Sequence, residues 1–334
     1  MKRTSIRDVA AAAGVSVGTV SNVLNNPDRV SPATVARVAR SIDELGFLRN
    51  DAARQLRGGD SRAIGLVVLD ARNPFFADVA RGAEAAAEEL GQVILVGNSD
   101  QRTDREAHYL NIFAERRVMG VLVSPVGDVT VPLRRLRDHG IPAVLVDREA
   151  APGTLSSVSV DDVAGGRMAV EHLLSLGRRR IAFVGGPGGL RQVSDRLSGA
   201  RAAVAATPDA VLQVLDTPDL TVEAGRSAAH TLAHGGPGKR PDAVFAANDL
   251  VAVGVLQGLV MQSALRVPED VALIGYDDID FARATVVPLS SIRQPRELMG
   301  RSAVEVLRAD AADPHREHER VIFTPELVVR ASTG

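Results

Sequence analysis

The sequence predicts a small all-α helix-turn-helix headpiece followed by an α/β core of two doubly wound parallel-sheet subdomains. Two short helical runs flank Ala13-Gly14-Val15-Ser16 near the amino end. From Ala63 onward, short apolar runs alternate with helical patterns, which is the signature of parallel sheets covered on both faces. That alternation restarts near residue 161, so the core reads as two similar halves.

The headpiece comes first. In IRDVAAAAGVSVGTVSNVL the joint between the helical runs is too short for a strand pair and suits a tight turn. Gly14 supplies the left-handed backbone that such a pivot needs, and the small residues Ala10 to Ala13 allow close approach of the second helix. Ser5 can cap the first helix with Asp8 as its acidic partner, and Ser16 can cap the second. The second helix buries Val20, Val23 and Leu24 and turns Val17, Gly18, Ser21, Asn22 and Asn25 outward. A DNA major groove would meet that outer face. A third helix starts at Ser31-Pro32, carries Val35, Val38, Ile42 and Leu45 at helical spacing, and stops at Gly46.

Residues 50 to 57, NDAARQLR, are good helix formers in a run too short to be stable alone. A helix there forms only with support, and Leu56 is then placed to wedge between base steps in a minor groove. Gly58-Gly59-Asp60-Ser61 links it to the core.

In the core, strands are expected at 64–69, 93–96, 121–124, 143–146, 181–184, 243–246, 273–276 and 321–323, with helices including 74–90, 104–116, 165–176 and 250–263. Polar residues cluster after the strands: Asn73-Pro74-Phe75-Phe76, Asn98-Ser99-Asp100, Asp147-Arg148, Arg191 to Arg196, Asn248-Asp249 and Asp277-Asp278. Ligands in such folds sit beyond the carboxyl ends of strands. Carboxylates, an amide, guanidinium groups and a phenyl pair suit a polyol or sugar, through bonds to vicinal hydroxyls and a flat apolar surface.

Composition bounds the rest. At 334 residues the chain suggests two or three domains. No stretch approaches eighteen uncharged apolar residues and no cleavage-like leader follows Lys2 and Arg3, so a cytoplasmic, nucleoid-associated protein is expected, with no membrane partner. With no cysteine there is neither a disulfide framework nor thiolate chemistry. Residues 1 to 57 hold nine Lys or Arg against five acids, so the head carries +4 and the remainder −6 within a net charge of −2. A basic head on an acidic body fits a polyanion-binding module joined to a sensor.

An enzyme on a dinucleotide-binding sheet is the competing reading, but neither G-x-G-x-x-G nor G-x-x-x-x-G-K-[ST] occurs. Gly185 to Gly189 follows a strand with the wrong spacing, and Gly235 to Lys239 reads as a surface loop. His315 and His318 lie in a charged run, so no metal, cofactor or catalytic residue is assigned. An exported solute receptor is disfavoured by the headpiece and the missing leader.

Taken together, IRDVAAAAGVSVGTVSNVLN, RVSPATVARV, ELGF and ARQL, then NPFFADVARGAEAAAEELG, PAVLVDR, GRMAVEHLLSLGRRRIAFVGGP, AVFAANDLVAVG, VPEDVALIGYDD and SIRQP, resemble the lactose-repressor/galactose-repressor family of bacterial transcription regulators over essentially the whole chain. The resemblance implies a non-enzymatic homodimer that reads a pseudo-palindromic double-stranded DNA operator, with a periplasmic-binding-protein-like core and a small effector, a sugar by expectation, bound between its subdomains. It implies base reading by Val17, Gly18 and Asn22, a minor-groove wedge at Leu56, and backbone phosphate contacts from Ser16, Thr19, Ser21, Asn25, Ser31 and Thr34. Phe75, Phe76, Asp147, Arg148, Arg196, Asn248 and Asp277 fall on effector positions, with Arg191 and Gln294 beside them. Asn22 stands where many relatives carry arginine, and Leu220 where they often have an aromatic. No leucine heptads end the chain, so a dimer is the expected assembly. The implied domains are a headpiece at 1–49, a hinge at 50–61 and a core at 62–334. Within the core the N-subdomain is placed at about 62–160 and 293–319, and the C-subdomain at about 161–290 and 320–330.

Overall fold

A computed structural model of the chain describes residues 4–47, 61–234, 240–263 and 265–334. The hinge helix and wedge expected at 50–57 and the loop expected at 235–239 lie outside the described residues. The chain divides into two units, with the boundary after residue 61.

The first unit holds α1 (Ile6–Ala13), α2 (Val17–Asn25) and α3 (Pro32–Leu45). Val9, Ala10, Ala13, Val20, Val23 and Val38 form its core. Gly14 takes φ +61°, and the amide of Val15 reaches back to the Ala10 carbonyl at 3.0 Å, which ends α1 and turns the chain into α2. Leu45, expected in the apolar stripe, is instead 37 % exposed at the last turn of α3.

The second unit contains two six-stranded sheets. Its first half runs β1 (Ala63–Val68), α4 (Pro74–Glu88), β2 (Val93–Asn98), α5 (Thr103–Glu115), β3 (Gly120–Val123), α6 (Thr130–Asp138), β4 (Ala143–Val146) and β5 (Ser156–Val160). The second half runs α7 (Asp162–Ser175), β6 (Arg180–Val184), α8 (Arg191–Ala205), β7 (Val211–Leu215), α9 (Val222–Ala233), β8 (Ala243–Ala246), α10 (Asp249–Gln257), β9 (Ala272–Asp277) and β10 (Ser290–Arg293). Then follow α11 (Arg296–Ala312), β11 (Arg320–Phe323) and β12 (Glu326–Val328).

Strand order is β11-β5-β4-β3-β1-β2 in one sheet and β12-β10-β9-β8-β6-β7 in the other, parallel throughout except for β10 with β12. The chain therefore crosses between lobes after β5, after β10 and after β11. Two sequence boundaries shift as a result. Arg320–Phe323, assigned from sequence to the second lobe, pairs with β5 in the first sheet, and Ser290–Arg293 belongs wholly to the second. A parallel edge partner for β5 is available only if the returning α11 delivers β11 to the first lobe, and α11 packs on β3, β4 and β5 there. β5, β7, β10 and β12 were not read from the sequence.

α4 packs tightly against α11. A Cβ on Gly82 would meet the Glu297 carbonyl oxygen at 1.9 Å, and one on Gly300 would meet that of Val79 at the same distance. Glycine at both positions lets the two backbones touch. The first sheet's other face packs through Val67, Val121 and Val123 against Leu110 and Phe113 of α5 and Leu133 and Leu136 of α6.

Candidate functional site

In the headpiece, α2 starts at Ser16, whose Oγ accepts the Thr19 amide at 3.0 Å and shares a 2.9 Å hydrogen bond with the Thr19 hydroxyl. Core packing of Val20 and Val23 fixes the roll of the helix and leaves Val17, Gly18 and Asn22 exposed together. Asn25 folds its amide back onto its own helix, donating to the Ser21 carbonyl at 2.9 Å and the Ser21 hydroxyl at 3.2 Å. The Ser31 hydroxyl donates to Thr34 Oγ1 at 3.0 Å rather than accepting a backbone amide. Ser5 and Asp8 form the capping box expected at the start of α1, with the Ser5 amide and hydroxyl both donating to Asp8 Oδ2 at 2.7 Å.

In the core unit, side chains from the carboxyl ends of both sheets meet. Asp147, just beyond β4, has φ +60°, and Asp277, the last residue of β9, has φ +102°. Left-handed backbone is uncommon for a residue with a Cβ and marks a position the surrounding structure must hold. Gln192, in the first turn of α8, donates Nε2 to Asp147 Oδ2 at 2.9 Å across the lobes. Asn73, at the start of α4, donates Nδ2 to Asp277 Oδ2 at 3.1 Å in the opposite direction. Gln294 donates Nε2 to the other Asp277 oxygen at 2.8 Å.

Arg196 sits among them, 3 % exposed. Its Nε donates to Asp162 Oδ1 at 2.7 Å, its Nη1 to the Ala247 carbonyl at 2.7 Å, and the same Nη1 lies 3.8 Å from Asp277 Oδ1. The guanidinium carbon lies 3.7 Å from the centre of the Tyr276 ring. Burial alone would pull this guanidinium's pKa down, but Asp162, Tyr276, Asp277 and Asp147 outweigh it and hold the group charged. Burial, reinforced by the charge of Asp162, pushes the Asp147 carboxyl well above the ordinary carboxylate range despite Arg196. Burial also raises Asp162 and Asp277, with Arg196 opposing in both cases.

Other sequence-assigned residues play supporting parts. Phe75 and Phe76 are almost fully buried in the first turn of α4, packed edge to face with ring centres 4.9 Å apart. Asn248 caps α10, accepting the Val251 amide at 2.9 Å and donating to the Leu220 carbonyl at 3.4 Å. Arg148 donates to the Gly127 carbonyl, which ties down the loop after β3. Arg191 is turned to solvent and pairs with Asp195 at 2.8 Å, away from the buried cluster.

Asn73 and Gln192 fall within the strand-end clusters of the sequence but are not among its effector assignments, and Asp162 and Tyr276 are in neither. The one available signal was position, since Asn73 and Gln192 follow strand ends. Among the described residues no group of three or more His, Asp or Glu is placed to hold a metal ion.

The fold and these positions can be set beside known proteins. A model of bacterial regulatory proteins of the lacI family matches residues 5–50, and one of a periplasmic binding protein-like domain matches residues 170–333. The ribose operon repressor of Escherichia coli (strain K12) is 34 % identical over 335 residues, spanning 98 % of this chain and 99 % of the repressor. The chain belongs to the lacI family of bacterial regulatory proteins. Among solved structures, the transcriptional regulator CelR in complex with cellobiose is 34 % identical, with TM-score 0.73 over 99 % of this chain and 100 % of that one. The lac repressor dimer bound to operator and an anti-inducer is 25 % identical, with TM-score 0.84 over 99 % of each chain. As a lacI-family member the chain is a DNA-binding transcriptional regulator built from a helix-turn-helix domain and a periplasmic-binding-protein-like core.

Proposed function

We propose that the chain acts as a homodimeric repressor of carbohydrate-utilisation genes whose grip on a pseudo-palindromic operator is set by a small sugar-like effector held between the core lobes. The observation that carries the effector part is the reciprocal pairing of Asp147 with Gln192 and Asp277 with Asn73 across the lobes. A polyhydroxyl ligand satisfies carboxylates and amides of this kind by donating and accepting at adjacent hydroxyls. Val17, Gly18 and Asn22 read bases, and Ser16, Thr19, Ser21, Asn25, Ser31 and Thr34 hold the phosphate backbone. Leu56 serves as the minor-groove wedge.

Closure of the cleft on an effector moves one lobe against the other and changes the spacing of the two headpieces; a coupling of roughly 1–3 kcal/mol then shifts operator affinity about five- to 150-fold. Exposed apolar side chains supply surface for the dimer, with Val93 and Val96 on the edge strand β2 and Met261, Phe281 and Val286 in the second half of the core. No described helix is long and apolar enough to cross a membrane, and the reading places the protein in the cytoplasm at the nucleoid. It assigns no catalytic step.

The test is a selection of bound duplexes from a random pool, followed by gel shifts on the winning sequence with and without a panel of free sugars. One sugar changing operator affinity by fivefold or more, as the coupling range implies, is the expected outcome. No sequence retained above random fragments overturns the DNA reading, and no response to any sugar overturns the effector reading.

A further inference from the structure

Two of the seven histidines meet on the exposed side of α9. His230 lies in the last turn of that helix and His234 directly follows it, so their side chains stand one turn apart on the same face. The rings stack with centres 4.1 Å apart and planes inclined by 27°. α9 runs from the carboxyl end of β7 back toward the amino end of β8, so its last turn is on the opposite side of the second sheet from the strand ends that line the cleft. The pair therefore owes nothing to the effector reading.

One ring is already oriented as a ligand would be. His234 Nδ1 lies 2.7 Å from the His230 carbonyl oxygen. A carbonyl can only accept, so Nδ1 carries the proton and Nε2 of the neutral ring keeps its lone pair. Metal-ligating histidines are commonly held in this way, with the second ring nitrogen donating to a backbone carbonyl. The carbonyls that end α9 add a partial negative charge, which favours a cation at that end of the helix. Arg226, one turn before His230, is paired with Glu223 and brings little net repulsion.

Two ring nitrogens bound side by side to one ion, at bond lengths of roughly 2.1 Å, stand about 3 Å apart. Rings stacked at 4.1 Å reach that spacing by small turns about exposed side-chain bonds. Imidazole suits copper, nickel and zinc, whereas magnesium and calcium seek oxygen. We infer that His230 and His234 form a two-point chelating site for a borderline divalent metal ion, tightest for copper, with water filling the remaining positions.

The experiment uses the full chain without an affinity tag, stripped of metal and titrated by calorimetry with copper(II), nickel(II), zinc(II) and magnesium chlorides. The tightest uptake is expected at one copper, nickel or zinc ion per chain, with none of magnesium. The two donors act as one bivalent ligand, so His230→Ala and His234→Ala should each weaken binding about a hundredfold. Both residues are exposed, so neither substitution opens the core, and circular dichroism should match wild type. Uptake should also weaken as the pH falls, because only neutral imidazole ligates. His139→Ala is the control. His139 directly follows α6 and makes the same 2.7 Å contact, to the Arg135 carbonyl, but has an arginine one turn back instead of a second histidine. That variant should take up metal as wild type does.

No uptake of copper, nickel or zinc at millimolar concentration overturns the inference. Uptake that persists when both histidines are replaced, or that is lost instead in His315→Ala, overturns it by placing the ion elsewhere. Affinity unchanged by either single substitution overturns it too, since the two rings would then be unlinked donors.

Discussion

Gln192 and Asp147 belong to opposite lobes of the core and are joined by a 2.9 Å hydrogen bond from Nε2 to Oδ2. The bond is buried, and Asp147 Oδ1 has no protein partner, so Gln192 is the donor on which that carboxyl depends. Replacing Gln192 with Leu keeps the bulk and removes the donor. A buried acceptor left unsatisfied costs about 1–3 kcal/mol, so Gln192→Leu should lower the urea midpoint accordingly. An unchanged midpoint would mean that water reaches Asp147 freely and the lobes are not held by this contact.

Asp147 also gives a pH signature. Its folded-state pKa is raised by burial and by Asp162, so the folded chain binds this proton more tightly than the unfolded chain does. The resulting stability is fully present below the unfolded carboxylate pKa of about 3.9 and is lost as pH rises through the raised folded value. Asp147→Asn mimics the protonated group and can still accept from Gln192. The melting temperature of the variant relative to wild type should therefore increase between pH 5 and pH 8. A difference that stays flat or falls across that interval would show the carboxyl to be ionised without penalty.

Sequence and structure agree best where burial is simplest. β3, β4, β8 and β9 are buried along their whole length, which makes them continuous apolar runs, and all were read correctly. β5 is just as buried, and β10 is buried as far as Ile292, but both are rich in serine, whose hydroxyls bond neighbouring backbone, so hydrophobicity hides them. β7 is a partly exposed edge strand, and β12 has only three residues. At the cleft, Asp147 and Asp277 were legible because a strand end is a position that sequence can locate. Arg191 and Gln192 show where that stops. They are adjacent on α8, about 100° apart around its axis, and the roll of the helix sends the glutamine inward and the arginine to solvent. Partners such as Asn73 and Asp277 lie 204 residues apart, a pairing that only the two-lobed fold creates.

The contact between α4 and α11 makes a prediction about the first lobe. Gly82→Ala would place Cβ against the Glu297 carbonyl oxygen, which is backbone and cannot swing aside. The helices must separate, and overpacking of this kind costs typically about 1–3 kcal/mol and sometimes more. Thermal melts of Gly82→Ala and Gly300→Ala should both show that loss, and the double variant should lose less than the sum because one separation relieves both clashes. Strict additivity would place the two glycines in independent contacts.

The exposed face of α2 sets a prediction about operator sequence. Asn22 presents a side-chain amide that can bond the N6 and N7 edge of adenine at once, and Val17, 39 % exposed, offers an apolar surface to a thymine methyl. Gly18 offers no side chain, although a Cβ there would meet nothing closer than Ser16 Oγ at 3.6 Å. Packing within the headpiece therefore leaves room for alanine at 18, and Gly18→Ala should stabilise the helix by roughly 0.5–1 kcal/mol. Any loss of operator affinity in that variant then reports a clash with DNA rather than damage to the fold. Sequence selection with the wild-type chain should return A·T pairs opposite Asn22, and Asn22→Ala should relax that position by about 1–3 kcal/mol of discrimination while leaving binding to random duplex nearly unchanged. Selection of an invariant G·C pair there would remove Asn22 from base reading and give the role to another residue on the same face.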